Sequence, residues 1–324
     1  MPYCFFPSRP SRIIGEDGKS ADCEAAMTES QETKPRLPKP HWLRRRLPTG
    51  PEYESMRSLI KGQGLHTVCQ EARCPNQWEC FSCRTATFLI MGPRCTRSCR
   101  FCAVDQGPLG PPDPAEPARV AEAAQCLGLR YVVITSVTRD DLADGGAGFF
   151  AETIKEVRSK LSDALIEVLI PDFQGDGEAL RTVVAACPDV LNHNLETVPR
   201  LYPSVRPGAI YVRSLELLRR AKTYNPVLPT KSGLMLGLGE STEEIRGTLQ
   251  DLHEAGCNMI TLGQYLQPSK EHFAVQRYVS PQEFDHWREV AMAMGFTRVA
   301  SGPFVRSSYH AKELYDTVQD KTGE

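Results

Sequence analysis

The sequence lacks both a long apolar run and a surplus of charge of one sign. No segment approaches the ~18 consecutive apolar residues of a membrane-spanning helix, and the amino-terminal residues lack the basic, apolar and small-residue order of a secretory signal. The formal net charge of the 324 residues is only -2. A nucleic acid or an anionic membrane is therefore not required as a partner, and we expect a cytoplasmic protein that binds neither.

The histidines lack a metal-binding pattern, because no HExxH or similar motif is present. Cysteine, in contrast, occurs twelve times. In a reducing compartment these cysteines favour metal or redox chemistry over a disulfide framework. Two triads of cysteines carry metal-like spacing, whereas no function is predicted for Cys4, Cys23, Cys126, Cys187 and Cys257.

From residue 85 onward, short β-rich runs alternate with amphipathic stretches. Strands that are joined by helices must run parallel, and six such units predict an α/β fold. We expect a partial (β/α)6 TIM-like barrel with N-terminal and C-terminal extensions, and a doubly wound sheet is the alternative. The predicted strands occupy residues 85–92, 131–137, 165–172, 190–197, 232–240 and 259–266.

Four regions follow from this pattern. Residues 1–40 are expected to form a disordered or extended arm, in which Met27 is an alternative start. Residues 41–84 form an N-terminal extension, residues 85–300 the barrel, and residues 301–324 a C-terminal extension. The basic run Arg44, Arg45 and Arg46 either steers an acidic partner domain or only solvates a linker.

The loop after the first predicted strand contains Cys95, Cys99 and Cys102, the loop triad, with C-x3-C-x2-C spacing. A structural zinc ion takes four protein ligands, whereas three thiolates leave one coordination position open. In a [4Fe-4S] cluster the open position belongs to an iron that can bind a substrate. With an aromatic residue before the last cysteine, this motif resembles the radical S-adenosylmethionine superfamily.

The resemblance implies that the open iron binds S-adenosylmethionine, which is cleaved by an electron to a 5'-deoxyadenosyl radical. It also implies that Phe101 lies near the adenine. Polar residues at strand ends and a glycine turn are expected to contact the same cofactor, although each of them could instead serve the fold. These residues are Thr135, Ser136, Asp144, Gly145, Gly146, Asn192, Glu196 and Lys231.

A second set, Cys69, Cys74 and Cys80, forms the upstream triad, with C-x4-C-x5-C spacing. It is also one ligand short, and the residues between the cysteines offer no apolar periodicity that would bury them. We therefore expect a second cluster. Near the other end of the chain, a polar group follows the last predicted helix: Arg306, Ser307, Ser308, Tyr309 and His310.

The two triads and the terminal RSSY motif together resemble the lipoyl synthase family, over about residues 40–315. The resemblance implies that an auxiliary [4Fe-4S] cluster is bound by the upstream triad and by Ser308, with Ser307 as the neighbour that could be confused with it. It further implies that radicals abstract hydrogen from carbons 6 and 8 of an octanoyl chain on a protein-bound lysine. The auxiliary cluster then donates both sulfur atoms.

The same resemblance implies two [4Fe-4S] clusters and S-adenosylmethionine as cofactors. The implied partners are octanoylated lipoyl domains of 2-oxoacid dehydrogenase complexes, the glycine cleavage H protein, a low-potential flavodoxin or ferredoxin, and an iron-sulfur carrier. Two departures from the family lie beside the upstream triad. Arg84 stands where the family usually has glycine, and Cys83 either competes as a ligand or remains a free thiol.

Three alternatives remain open at this point. The first is another two-cluster radical S-adenosylmethionine enzyme that inserts sulfur. The second is an iron-sulfur electron carrier, which the βα repeat disfavours, and the third is a zinc-stabilised binding module.

Overall fold

The computed structural model describes residues 37–44, 51–82, 86–309 and 311–316. Several predictions concern residues outside these ranges, including most of the amino-terminal arm, Arg45, Arg46, Cys83, Arg84 and His310. Within these ranges, no helix is both long and apolar enough to cross a membrane.

A mostly parallel eight-stranded sheet forms the centre of the fold, in the order β1-β2-β5-β6-β7-β8-β9-β10. Strand β1 is antiparallel to β2, and all other neighbours in this sheet are parallel. A separate parallel pair is formed by β3 and β4. The strands are β1 (His66–Thr67), β2 (Thr87–Ile90), β3 (Arg94–Cys95), β4 (Asp105–Gln106), β5 (Tyr131–Ser136), β6 (Leu165–Leu169), β7 (Val190–Asn192), β8 (Thr230–Leu236), β9 (Met259–Gln264) and β10 (Arg298–Gly302).

Helices follow most of the parallel strands and cover one face of the sheet. Their ends are set by side-chain caps, as at α9, where Ser241 and Glu244 form a capping box, and at α10, where Ser280 accepts from the Glu283 N–H. The helices are α1 (Pro51–Gly62), α2 (Val68–Glu71), α3 (Gln77–Ser82), α4 (Glu116–Cys126), α5 (Ala147–Lys160), α6 (Gly177–Ala185), α7 (Tyr202–Val205), α8 (Tyr211–Tyr224), α9 (Thr242–Glu254), α10 (Pro281–Ala293) and α11 (Ala311–Asp316); 3-10 turns occupy His41–Leu43, Phe173–Gly175 and Pro199–Leu201.

The six predicted strands are all present, and the partial-barrel class is confirmed. The count of parallel strands was one too low, because β10 pairs in parallel with β9. Its sequence, RVASG, has neither an apolar run nor a clear alternation, so the pattern gave no signal. The sheet stays open, since β1 and β10 form its two edges within the described ranges.

Strand register separates an apolar face of the sheet from a polar one. The face toward the helices carries buried residues such as Ile134, Val168 and Ile260, which belong to the main hydrophobic core. The opposite, inner face is more polar and carries Glu167 and Lys231, beside apolar residues such as Val133 and Val190. In a partial barrel the inner face is where the functional side chains are expected.

The chain returns across the inner face after β10. Residues 303–309, the terminal segment, contact β9, the end of β7 and β2 in turn. A Cβ atom on Gly263 of β9 would lie 2.1 Å from the carbonyl oxygen of Val305. Helix α11 follows, and its Ala311 packs against Tyr131 and Val133 of β5. The terminal segment therefore spans the inner face from one side of the sheet to the other.

Candidate active site

The upstream triad and Ser308 line one cavity. Cys69 lies in α2, Cys74 in the turn that follows it, and Cys80 in α3. Ser308 enters the same cavity from the terminal segment, more than 200 residues away in the sequence. The four residues that the family resemblance named as ligands are thus neighbours in the fold, with Asn76, Thr87, Arg306 and Tyr309 completing the wall.

Short backbone turns connect the three cysteines. Thr67 caps α2 by accepting from the Gln70 N–H, and this cap fixes where the helix carrying Cys69 begins. The Cys74 N–H then donates to the Cys69 carbonyl at 3.2 Å, and the Cys80 N–H donates to the Asn76 carbonyl at 3.0 Å. Each cysteine is therefore anchored through its own backbone, independently of its thiol.

Two long-range hydrogen bonds hold the terminal segment over this cavity. The Asn76 amide donates to the Phe304 carbonyl at 2.7 Å, and the Tyr309 hydroxyl donates to the Glu79 carboxylate at 2.8 Å. These contacts lie on either side of Ser308. They fix the backbone that carries the serine relative to the helices that carry the cysteines.

The donor atoms of the cavity suit iron better than a single zinc ion. Three thiols and three hydroxyl groups, those of Thr87, Ser308 and Tyr309, line it, with no histidine or carboxylate among its described lining residues. No group of three His, Cys, Asp or Glu side chains within the described ranges could hold one metal ion. In a [4Fe-4S] cluster each thiolate binds a different iron, so its ligands stand farther apart than those around one zinc.

Burial makes the Cys69 thiol of this site costly to ionise without a metal. Desolvation, reinforced by Cys74, raises the pKa of Cys69 to about 12, and the nearby Thr87 backbone N–H opposes the shift only in part. A bound cation reverses this balance, because it stabilises the thiolate directly. The site therefore disfavours a thiolate without a metal and suits a thiolate that is bound to a metal cluster.

The loop triad lies beyond the carboxyl end of β2, and its first cysteine ends β3. Cys95 accepts from the Thr138 N–H at 3.3 Å, and the Thr96 N–H donates to the Thr138 carbonyl at 3.0 Å. Between the cysteines, Arg97 forms ion pairs with Asp140 at 2.7 Å and with Asp172 at 2.5 Å. These aspartates follow β5 and β6, so the loop is tied to two strand ends.

The far side of the loop is anchored as well. The Arg100 N–H donates to the Val205 carbonyl, and the Phe273 N–H donates to the Arg100 carbonyl, both at 2.8 Å. The Nε2–H of His272 donates to the Cys102 carbonyl at 2.9 Å. Asp140 and His272 were not among the sequence candidates, since nothing in their local pattern marks them as partners of a loop so distant in sequence.

Burial also raises the pKa values of two loop thiols, those of Cys99 and Cys102. It brings the pKa of Cys102 to about 12 and raises that of Cys99, where the Arg206 cation opposes the shift. As at the upstream triad, ionised thiols here need the positive charge of a metal. The donors fit a second cluster with one open coordination position.

Glu196 connects the loop triad to the terminal segment. Its φ of 68° is in the left-handed region, which is strained for a residue with a side chain and recurs at functional sites. Burial raises the pKa of its carboxyl group, against the lowering effects of Arg206 and Arg306. The charge of Glu196 in turn acts on Cys99 and Cys102, so this predicted cofactor contact is close to the loop triad.

Phe101 and Ser136 occupy positions that are compatible with the predicted contacts. Phe101 packs on an apolar cluster that includes Val205, Leu238 and Tyr265. The hydroxyl oxygen of Ser136, at the carboxyl end of β5, is buried and has no hydrogen-bond partner within the described ranges. A buried polar atom without a partner is costly, so this hydroxyl group is suited to receive a ligand.

Four other predicted contacts have structural roles in the fold. Thr135 donates to the Leu169 carbonyl at 2.8 Å, and exposed Asp144 accepts from the Gly146 and Gly148 N–H groups at the start of α5. Gly145 and Gly146 both have left-handed φ values, and a Cβ atom on Gly146 would lie 2.3 Å from the Met91 sulfur. These contacts explain why the fold needs the four residues, and no contact with a cofactor is required for that explanation.

Lys231 and Asn192 belong to a buried polar network on the inner face. The Lys231 ammonium group lies 3.0 Å from both carboxylate oxygens of Glu167, and Asn192 donates to the same carboxylate at 3.1 Å. The Tyr131 hydroxyl is the third partner of this carboxylate and donates to it at 2.7 Å. Lys231 is the second residue of β8, near the amino end of the strand, so its position does not support the predicted role in cofactor binding.

Two family models match the chain. One describes the radical SAM superfamily and matches residues 89–252, and the other describes the N-terminal domain of lipoyl synthase and matches residues 14–74. The lipoyl synthase of Desulfotalea psychrophila is 60% identical over 290 residues, which are 90% of this chain and 97% of that protein. The lipoyl synthase of Caldanaerobacter subterraneus subsp. tengcongensis is 56% identical over 273 residues, 84% of this chain and 95% of that protein.

Solved structures agree on the fold. Methylornithine synthase superposes with a TM-score of 0.52 at 16% identity, over 79% of this chain and 75% of that chain. HydG, a maturase of the [FeFe]-hydrogenase, gives a TM-score of 0.53 at 15% identity, over 65% of this chain and 50% of that chain. At such identities the likeness concerns the backbone architecture alone.

Proposed function

We propose that this chain, which belongs to the lipoyl synthase family of the radical S-adenosylmethionine superfamily, inserts sulfur at carbons 6 and 8 of a protein-bound octanoyl-lysine. The product is the lipoyl group. The observation that carries the proposal is the single cavity that the upstream triad shares with Ser308. Neither an electron carrier nor a zinc module requires a serine at that position.

The chain supplies two sets of metal donors for this reaction. Cys69, Cys74, Cys80 and Ser308 would hold an auxiliary [4Fe-4S] cluster, and the loop triad would hold the cluster that leaves one iron open for S-adenosylmethionine. When bound, these groups supply the electron, the hydrogen-abstracting radical and the sulfur atoms. Glu196 and Ser136 would orient S-adenosylmethionine, and Phe101 would contact its adenine.

The protein itself positions the metal donors and keeps water away from the reacting groups. Ion pairs and backbone hydrogen bonds fix the loop triad to the strand ends, while the terminal segment covers the inner face and brings Ser308 to the upstream triad. A radical intermediate survives only where water and stray hydrogen donors are kept away. No general acid or base is assigned, because the chemistry belongs to the cofactors.

The proposal includes partners that the chain itself does not carry. Octanoylated lipoyl domains of 2-oxoacid dehydrogenase complexes and the glycine cleavage H protein would present the substrate. A low-potential flavodoxin or ferredoxin would supply electrons, and an iron-sulfur carrier would rebuild the auxiliary cluster. We place the reaction in the cytoplasm, where free thiols persist.

Iron and acid-labile sulfide per chain after anaerobic reconstitution test the two-cluster assignment. We expect about eight irons in the wild type and about four when Cys69, Cys74 and Cys80 are all replaced by alanine. A matched control replaces Cys126 and Cys187, which are exposed and outside both triads, and should keep about eight. Equal iron in the wild type and the upstream-triad variant would contradict the assignment.

A further inference from the structure

Thr87 occupies a central position in the cavity of the upstream triad. It is the first residue of β2, it is 4% exposed, and it lines the cavity together with the three cysteines and Ser308. Neither its residue type nor its spacing marks it as a metal ligand.

Two different groups of Thr87 contact two different members of the candidate ligand set. Its backbone N–H is a hydrogen-bond neighbour of the Cys69 thiol, and both residues line the same cavity. Its side-chain hydroxyl lies 2.7 Å from the hydroxyl oxygen of Ser308. One residue therefore joins the cysteine side of the cavity to the serine side.

The direction of the hydroxyl contact follows from the chemistry of a serine ligand. A hydroxyl group can donate or accept, so two free hydroxyls can bond either way. A serine oxygen that binds iron gives up its proton and keeps only lone pairs. Thr87 must then be the donor, and the same hydrogen bond persists whether or not Ser308 is bound to a metal.

The residues on either side of Ser308 fix its backbone, so only the rotamer of its side chain is still free to change. Ser307 is hydrogen-bonded to the Asn194 amide at 2.6 Å, and Tyr309 to Glu79 at 2.8 Å, so the backbone is held on both sides. A serine side chain has three staggered positions about χ1. In the position that the structure shows, the Ser308 side chain lines the cavity and contacts the Thr87 hydroxyl.

We infer that Thr87 is a positioning residue that holds the Ser308 oxygen toward the cluster and thereby sets how firmly the serine-bound iron is retained. This inference rests on the proposed auxiliary cluster. If it is correct, removing the hydroxyl group leaves the three cysteines in place but frees Ser308 to rotate. One iron of the cluster is then lost more readily than the other three.

The test uses a background in which Cys95, Cys99 and Cys102 are replaced by alanine, so that only the auxiliary cluster is present. Thr87→Val removes the hydroxyl group and keeps the shape, whereas Thr87→Ser keeps the hydroxyl group. Thr248→Val is the control, because Thr248 is a buried threonine in α9 whose hydroxyl donates to the Glu244 carbonyl. The readouts are the rate of release of the first iron to a ferrous chelator and the electron paramagnetic resonance signal of the three-iron cluster that remains.

We expect Thr87→Val to release the first iron about fivefold to tenfold faster than the background, as one lost hydrogen bond predicts. Thr87→Ser and Thr248→Val should stay within about twofold of the background. Equal release rates in Thr87→Val and the background would overturn the inference. So would a release rate in Thr87→Ser as high as that in Thr87→Val. A background protein that binds no iron would instead refute the proposed auxiliary cluster, on which the inference depends.

Discussion

The backbone of Val305 passes so close to Gly263 that its carbonyl oxygen would lie 2.1 Å from a Cβ atom at that position. Real Cβ atoms do not approach a backbone oxygen so closely, so a side chain here must displace the terminal segment. We predict that Gly263→Ala moves Ser308 out of its cavity, with iron per chain falling below the wild-type value while the loop triad keeps about four irons.

The matched control for this change is Gly247→Ala. Gly247 lies in α9, and a Cβ atom there would meet nothing within 4 Å, so iron content should stay at the wild-type value and stability should rise slightly. Full iron content in Gly263→Ala would show that the terminal segment can shift without loss of the auxiliary cluster.

Replacing the candidate serine ligand by a better one should impair turnover. A thiolate is a softer partner for iron than an alkoxide, so Ser308→Cys should keep both clusters but hold the serine-site iron too firmly. We predict about eight irons per chain and at least ~10-fold less lipoyl product. Mass spectrometry of an octanoylated carrier peptide measures the product, and normal turnover would refute the role assigned to Ser308.

Ser307→Cys is the control for that variant. Its side chain is bonded to Asn194 rather than directed at the upstream triad, so the substitution should not create a stronger ligand for the auxiliary cluster. If this variant, in which Ser308 is unchanged, retained the iron tightly, Ser307 rather than Ser308 would be the serine ligand.

Asp172 makes stability depend on pH through the Arg97 ion pair. Burial alone would raise the pKa of Asp172, but Arg97 outweighs it and the pKa is about 2. A carboxyl group with a lowered pKa stabilises the fold above its unfolded pKa of ~3.9 and loses that effect as the pH falls toward 2. The contribution is about 2 kcal/mol at neutral pH.

Denaturant unfolding of the metal-free wild type and of Asp172→Asn measures this contribution. We predict a difference of about 2 kcal/mol near pH 6 that shrinks steadily below pH 4. The exposed Asp163, replaced by asparagine, should show almost no difference at any pH. A gap between wild type and Asp172→Asn that is independent of pH would mean that the carboxylate charge is not the stabilising feature.

The buried pair of Lys231 and Glu167 should behave as a structural unit. Lys231→Met leaves the carboxylate buried without its cation, which costs about 3 to 5 kcal/mol in unfolding free energy. Adding Glu167→Gln removes the orphaned charge and should restore most of that loss. The double variant should also bind S-adenosylmethionine with wild-type affinity. Weak binding by a stable double variant would show that Lys231 contributes to cofactor binding, as the sequence predicted.

The sequence predicts the parts of this fold that depend on local pattern. Six strands were visible because their apolar runs end in turns and polar residues, whereas β10 was missed because RVASG carries no such pattern. The cysteine spacing and the RSSY motif named Ser308 by resemblance, before any geometry was known. Its contact with Thr87 was beyond prediction, because it joins residues 221 positions apart that only the open barrel brings together.

The predicted cofactor contacts show the same limit. Glu196 and Lys231 are both polar residues at strand boundaries in the sequence, and nothing local distinguishes them. In the fold, the charge of Glu196 acts on the loop triad, whereas Lys231 is paired with Glu167 two strands away. The two residues differ in their surroundings because strand register sets the partner of each side chain. That register cannot be predicted from either segment alone.

The origin of the inserted sulfur tests the proposed role of the auxiliary cluster most directly. The protein is reconstituted with iron and ³⁴S-sulfide, freed of excess sulfide, and turned over once with S-adenosylmethionine, a reductant and an octanoylated carrier peptide. We predict that the wild type forms product with two ³⁴S atoms and that the variant in which Cys69, Cys74 and Cys80 are alanine forms no product. Unlabelled sulfur in the wild-type product, or product formed by that variant, would contradict that role.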